Sequence, residues 1–270
     1  MISNKNTISL KKGTYLAPDV STCDFNDLLV GVTKYQTPTE TGVWHSHENP
    51  MISFVLYGSN KENREGLTFE RTPGSINFYH SNELHQNIYN KFPSKHISLE
   101  IDSAFLNKYE YTESQIEMAV ANNEYSIFTF TKLLSEAFLN DSQSSSSVEM
   151  VVLSFIENAI GTKEQKIPEW MNLVRDILKD RWNENISLHQ LSESADVHPT
   201  TISKHFRNYF QCTLGEYSRK IKVARSIEII NSSKTSFTEV AYQCGFSDQS
   251  HFTRVFKSCT GLLPKQFVKL

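Results

Sequence analysis

Apolar positions in the first hundred residues come in short runs broken by Gly, Pro and Asn. "LVGVTKYQ" (29–36), "MISFVLY" (51–57), "SINFY" (75–79) and "KHISLEI" (95–101) are rich in β-branched and aromatic residues, and each predicts a strand. From Thr112 the period lengthens. "TESQ" (112–115) has the form of a capping box, Thr112 with Gln115 three residues on. Helical patterns follow at about 125–139 and 148–160, the second with Val148, Val151, Val152, Phe155, Ile156 and Ala159 on one stripe. "NDSQSSSS" (140–147) between them reads as a polar loop. "GTKEQKIP" (161–168) reads as an interdomain linker, Gly161 ending one helix and Pro168 opening the next. Beyond it everything is helical in pattern. Leu173, Val174, Ile177, Leu178 and Trp182 form a stripe, and shorter segments follow at about 187–194, 199–209, 214–231, 236–243, 248–257 and 264–268. The pattern predicts a β-rich domain with trailing helices over 1–160, a linker at 161–168 and an all-α domain over 169–270.

Composition is that of a globular chain, 39% hydrophobic and 21% charged. No apolar run approaches the roughly 20 residues of a membrane span, and the N-terminus has no signal-peptide pattern. Cys23, Cys212, Cys244 and Cys259 lack metal-like spacing and read as free thiols in a reducing compartment, so a cytoplasmic location is expected. The net charge of −3 hides an asymmetry: residues 197–270 carry 11 Lys and Arg against 4 Asp and Glu. An acidic front and a basic tail suggest that the tail meets a polyanion.

The tail contains an internal repeat. When "LSESADVHPTTISKHFRNYFQCTLGEY" (191–217) is set above "VAYQCGFSDQSHFTRVFKSCTGLLPKQF" (240–267), Leu191 matches Val240, Ala195 matches Cys244 and Val197 matches Phe246. After one inserted residue Ile202 matches Phe252, Lys204 matches Arg254, Phe206 matches Phe256 and Tyr217 matches Phe267. Each copy is a short helix, a turn and a second helix, the helix-turn-helix plan, at 187–209 and 236–257, joined by a basic helix at 214–231. Ile202 with Phe206, and Phe252 with Phe256, would clamp each second helix onto its first. The opposite faces, Thr200, Ser203, Lys204 and Arg207, or Gln249, Ser250, Thr253, Arg254 and Lys257, are left for base edges and phosphates. Ser247 reads as the N-cap of the last of these helices, offering its oriented amides to a phosphate.

This segment of about 100 residues resembles the AraC/XylS family of bacterial transcription regulators. "VAYQCGFSDQSHFTRVFKSCTGLLP" looks like the family's second-motif signature, and the first motif is similar with lower fidelity. The departures are Ser192, His198, Lys222, Ser226 and Phe267-Val268, of which His198 leaves the cap of the first recognition helix open. The resemblance implies two recognition helices in successive major-groove segments about 34 Å apart, held by the linker helix. Position by position it implies that Thr200, Ser203 and Lys204, then Gln249, Ser250, His251 and Arg254, read bases. Arg254 on a guanine would supply ~1–3 kcal/mol of discrimination. Arg207, Arg219, Lys222 and Lys257 are assigned to phosphates or helix caps, where they set affinity and salt dependence.

In the N-terminal half, "GVWHSHENPMISFVLYG" (42–58) and "RTPGSINFYHSNELHQN" (71–87) resemble the two short motifs of cupin β-barrels, which commonly precede this DNA-binding domain and sense a ligand. In metal-binding cupins the ligands map to His45, His47 and His85, whose imidazoles suit a divalent transition metal. The customary Glu would fall at Met51 or Ile52, and Glu48 lies only one residue past His47, so the site is one ligand short. Two readings stay open: a bound metal, or histidines that are hydrogen-bonded or touch an effector without one. Trp44, Phe54, Phe78 and Tyr79, with the three histidines, either line an effector pocket or fill the barrel core.

Together these features predict a cytoplasmic, non-enzymatic DNA-binding regulator, and the resemblance implies that it is an effector-responsive activator. Its expected partners are double-stranded DNA, a small-molecule or protein effector and, as the resemblance implies, RNA polymerase and a second copy of the chain, with no membrane. No cofactor is required unless the barrel holds metal. A cupin-type metal-dependent enzyme fused to a DNA-binding tail is the rival.

Overall fold

The computed structural model describes residues 7–37, 42–139, 141–160, 167–232 and 235–269. The chain divides into two compact units, Met1–Gly161 and Thr162–Leu270. Of the linker expected at 161–168, residues 161–166 lie outside the described residues.

Strand alternation builds the first unit. Its sheet contains β1 (Thr7–Leu10), β2 (Asp19–Asp24), β3 (Leu28–Tyr35), β4 (Trp44–His47), β5 (Met51–Arg64), β6 (Leu67–Arg71), β7 (Ile76–Tyr79) and β8 (His85–Ile101). The order is β1-β4-β8-β3-β2, and β5 pairs with β6, β7 and β8. Directly paired residues share a face. The register therefore puts Val30, Val32, Ile52, Phe54, Ile76, Phe78, Ile97 and Leu99 on one side. Thr33, Met51, Ser53, Asn77, Tyr79, His96 and Ser98 lie on the other. The apolar side meets helices: Phe54 stacks on Phe130 at 5.4 Å, and Phe130 meets Phe155 edge-on at 6.1 Å. The polar side is turned inward, around a cavity. This is a barrel-like sheet whose hydrophobic core lies outside it, under the helices.

Four helices follow, α1 (Ser103–Tyr109), α2 (Glu113–Asn122), α3 (Ser126–Leu139) and α4 (Ser144–Ile160). The Thr112–Gln115 capping box is present at α2, and all six residues of the Val148–Ala159 stripe are buried. The loop expected at 140–147 is shorter than its composition suggests, because α4 begins at Ser144. The buried Ser144 hydroxyl bonds Asp141 Oδ1 at 3.1 Å and accepts the Asp141 amide at 3.0 Å, which fixes the start of the helix. β1, β2, β4 and β6, short strands without an apolar run, were not expected. β5 runs on to Arg64 because its polar residues find partners: Asn60 donates to Asn87 at 2.7 Å, and the buried Glu62 accepts from Arg64, Arg71 and Tyr79.

The second unit comprises α5 (Glu169–Asp180), α6 (Leu188–Ala195), α7 (Pro199–Phe210), α8 (Leu214–Ser232), α9 (Phe237–Gln243), α10 (Gln249–Thr260) and α11 (Pro264–Phe267). Ser187 with Gln190, and Ser236 with Glu239, form capping boxes at the first helix of each repeat copy. On α5 the buried residues are Met171, Val174 and Leu178, while Leu173 is 43% exposed, so the predicted stripe is displaced around the helix.

Candidate nucleic-acid interface and barrel cavity

The repeat is a repeat in three dimensions. Leu191 and Val240, Ile202 and Phe252, and Phe206 and Phe256 are each fully buried. Phe206 meets Tyr217 at 5.2 Å and 75°, and its counterpart Phe256 meets Phe267 at 5.6 Å and 77°. Each copy thus pins its second helix with the same edge-to-face aromatic pair. Ala195 and Val197 are only half-buried, whereas Cys244 and Phe246 are buried, so the second copy is the more tightly packed.

With the aromatic faces inside, the predicted base-reading residues are outside. Thr200, Ser203 and Lys204 on α7, and Gln249, Ser250 and Arg254 on α10, are exposed, and His251 is half-buried against Phe246. Gln249 is held by Thr238, whose hydroxyl donates to Oε1 at 2.6 Å. Ion pairs in this unit join Arg175 to Asp176, Arg181 to Glu184, His189 to Glu193 and Arg225 to Glu228. Among the described residues none takes Lys204, Arg254 or Lys257. His198 does cap α7, its Nδ1 accepting the Thr200 amide at 3.3 Å.

Three expectations need correction. Lys222, assigned to phosphate, is 6% exposed; its ammonium donates to Asn185 Oδ1 and to the Gly245 carbonyl, each at 2.9 Å. Ser247 is not the cap of α10. Asp248 is, accepting the His251 amide at 2.7 Å, and that bond holds its carboxyl below the ordinary range. A carboxylate therefore occupies the helix start where a phosphate was expected. Arg207 and Arg219 are exposed, as a phosphate contact needs.

In the first unit the cavity has a volume of about 360 Å³. His45, His47, Tyr79 and His85 line it, with Tyr15, Tyr35, Asn60, Asn77, Tyr89 and His96, which sequence reasoning missed. Trp44, Phe54 and Phe78 do not line it: Phe54 and Phe78 sit on the helix-facing side of the sheet, and Trp44 alternates with His45 on its strand. Of the missed residues, Asn77 and His96 were legible in principle as the polar partners in the alternation of "SINFY" and "KHISLEI". Gly31 makes room for Tyr15, whose hydroxyl would lie 2.5 Å from a Cβ there.

Among the described residues, the buried side-chain polar atoms without a hydrogen-bond partner are Tyr15 Oη, His47 Nδ1, Asn60 Oδ1, Asn77 Oδ1 and His85 Nε2. All five belong to residues of this one cavity. Tyr15 Oη also lies against the Glu100 carboxylate, so the His and Asn atoms carry the point. A buried orphan costs roughly 1–3 kcal/mol, and their convergence makes this a polar cavity that water or a ligand must satisfy. His45, His47 and His85 come together with a nitrogen of each within 4.8 Å of the others. His45 donates Nδ1–H to the Val43 carbonyl and His85 donates to that of Glu83, each at 3.0 Å, which leaves both Nε2 lone pairs free. Burial, first of all, holds these imidazoles neutral, pushing His47 down to about 3 and His85 to about 2. Three neutral nitrogens, two oriented by backbone carbonyls, fit a divalent transition metal. Among the described residues no carboxylate completes the set: Met51 lines the cavity but is apolar, Ile52 faces the helices, and Glu48 is exposed.

A helix-turn-helix domain family matches residues 191–269. The chain is 31% identical over 103 residues to a protein described as "Probable transcription factor PqrA" of Proteus vulgaris, covering 36% of this chain and 83% of that protein. It is 26% identical over 110 residues to the HTH-type transcriptional regulator GbdR of Pseudomonas aeruginosa, covering 41% of this chain and 29% of GbdR. It is 21% identical over 122 residues to the HTH-type transcriptional activator RhaS of Escherichia coli, covering 44% of each. The chain therefore spans less than half the length of GbdR and RhaS. Among solved structures, ToxT from Vibrio cholerae aligns over 90% of this chain and 98% of its own, with 15% identity and a TM-score of 0.38. With two buried-aromatic helix-turn-helix copies, open polar faces and these relatives, the chain belongs to the AraC/XylS family of DNA-binding transcription regulators.

Proposed function

We propose that this chain is an effector-responsive activator that reads two successive major-groove segments per subunit, acts as a homodimer in the cytoplasm and recruits RNA polymerase beside its site. The observation that carries the DNA reading is the duplicated helix-turn-helix with both aromatic faces buried and both polar faces open. Arg254 and Lys204 occupy matching positions in the two copies, where a long cation reaches a base edge. Lys257, one turn further along α10, holds phosphate. Selection of bound duplexes by the full chain then yields two sequence blocks about one helical turn apart. Arg254→Ala relaxes base choice within one block by ~1–3 kcal/mol, whereas Lys257→Ala weakens all sequences alike. Equal loss on specific and random duplexes for Arg254→Ala removes the base contact from this reading.

The converging orphan His and Asn atoms support ligand sensing in the first unit. His45, His47 and His85 would hold a divalent metal. Bound there, a metal supplies Lewis-acid attachment for an oxygen- or nitrogen-bearing effector. The chain's own residues orient that effector through Asn60, Asn77 and Tyr15. An enzymatic role has no support in the relatives, which are regulators.

A further inference from the structure

Lys222 sits midway along the linker helix α8, yet its charge is spent inside the protein. The ammonium bonds Asn185, in the α5–α6 connection that leads into the first repeat copy, and the Gly245 carbonyl, in the turn of the second. It also lies 5.9 Å from the centre of the Phe246 ring. Three segments therefore converge on one cation: the approach to the first motif, the linker and the turn of the second. The backbones close up at the same point. A Cβ on Gly245 would stand 1.9 Å from the Asn183 carbonyl oxygen and 3.1 Å from Lys222 Nζ. The matching turn residue of the first copy, Asp196, is also left-handed, with φ 50° against 67° for Gly245. Handedness alone thus does not demand glycine here; the close approach does.

We propose that Lys222 is a positioning residue that sets the separation of α7 and α10, and so the spacing between the two DNA segments the chain accepts. This rests on the reading that both helices enter DNA. A phosphate contact does not suit a side chain 6% exposed. Simple space-filling does not suit one that makes two charge-assisted bonds to oxygens on different segments, since such bonds are directional. An apolar chain of the same length would fill the volume and lose the tie, leaving the Gly245 carbonyl unpaired.

The test uses the full chain and its Lys222→Met, Lys222→Arg and Asn185→Ala variants, with duplexes selected by the native protein and then lengthened or shortened by one base pair between the blocks. The native chain should bind the selected spacing at least ten times better than the altered ones. Lys222→Met should lower affinity for the selected spacing about tenfold, as loss of a charge-assisted hydrogen bond implies, and should flatten the spacing preference. Binding to random duplex should stay within twofold, with circular dichroism unchanged. Lys222→Arg should restore most of the preference, and Asn185→Ala, in an exposed connection where folding is not at risk, should weaken it partway. The proposal is overturned if Lys222→Met keeps the native spacing profile. It is equally overturned if that variant weakens specific and random duplexes alike with a reduced salt slope, the mark of a lost phosphate contact. Should Lys222→Met not fold, Asn185→Ala decides by the same criterion. A single sequence block selected by the native chain overturns the two-helix reading itself, and that outcome is visible before any variant is made.

Discussion

At the scale of single residues, the chemistry of the first unit rests on orphan atoms rather than on charge. His47 Nδ1 and His85 Nε2 have no partner among the described residues, although both side chains are buried. An unpartnered imidazole nitrogen in such a place is best satisfied by a metal or a ligand proton. If a metal is held, full-length protein purified without chelator and equilibrated with zinc or nickel should retain about one ion per chain. His47→Ala should lose most of it while the circular dichroism is preserved. Less than a tenth of an ion per chain for the native protein, with thermal stability indifferent to added metal, would leave the histidines to a metal-free effector. The same scale shows where residue identity misleads. Lys222 and Ser247 were both assigned by type and position, a base for phosphate and a hydroxyl for a cap. Which acceptor lies nearest Lys222, and which oxygen reaches the His251 amide, are three-dimensional facts.

At the scale of elements, period and capping were largely legible. The capping boxes need only local residues at fixed spacing, and their geometry closes within one helical turn. Removing the hydroxyl at Ser236, which accepts the Glu239 amide at 3.2 Å, should cost about 1 kcal/mol, and Ser187→Ala should cost about as much. Both losses should show as a lower denaturation midpoint of the helical unit with an unchanged slope. An intact midpoint for Ser236→Ala would mean that α9 is held by packing of Val240 and Ala241 alone. Short strands were less legible. β4 has four residues, all buried, with no apolar run to announce it, and its place depends on parallel pairing with β1 and on the His45–His85 register with β8. Ser144–Ser147 read as a loop because serine competes locally with helix formation. Packing of α4 on α2 and α3 outweighs that preference.

At the scale of the whole molecule, the two units have opposite interiors. The helical unit buries aromatics at its centre, whereas the sheet of the first unit encloses histidine, asparagine and tyrosine and sends its aliphatics outward to helices. That inversion has a consequence for acid stability. Burial pushes His47 down to about 3, His85 to about 2 and His96 to about 4. In the unfolded chain these imidazoles take up protons near 6.5. Above that pH both states are neutral. As pH falls below 6.5 the unfolded state gains protons that the folded state refuses, so stability declines steadily toward pH 4 and below. Thermal unfolding of the full chain between pH 8 and 4 should show a transition that shifts down by several degrees per pH unit below about 6.5. His96→Asn should lessen the slope, and a transition flat across that range would mean that water or ions already reach the imidazoles.

The sequence by itself determined the duplicated helix-turn-helix, its buried aromatics and its outward polar residues. Those features follow from periods of a few residues and from a repeat that a single chain displays twice. It also showed His45 and His47 two residues apart, a spacing that puts both on one face once β4 has formed. Only the tertiary structure decided which groups meet across long separations: His85 joining His45 and His47, Tyr15 entering over Gly31, and Lys222 bridging Asn185 and Gly245. Alternation shows that a strand has two faces without showing which one a helix will cover. Here α3 took the apolar face, through Phe54 and Phe130, and that contact left the polar face to become the cavity.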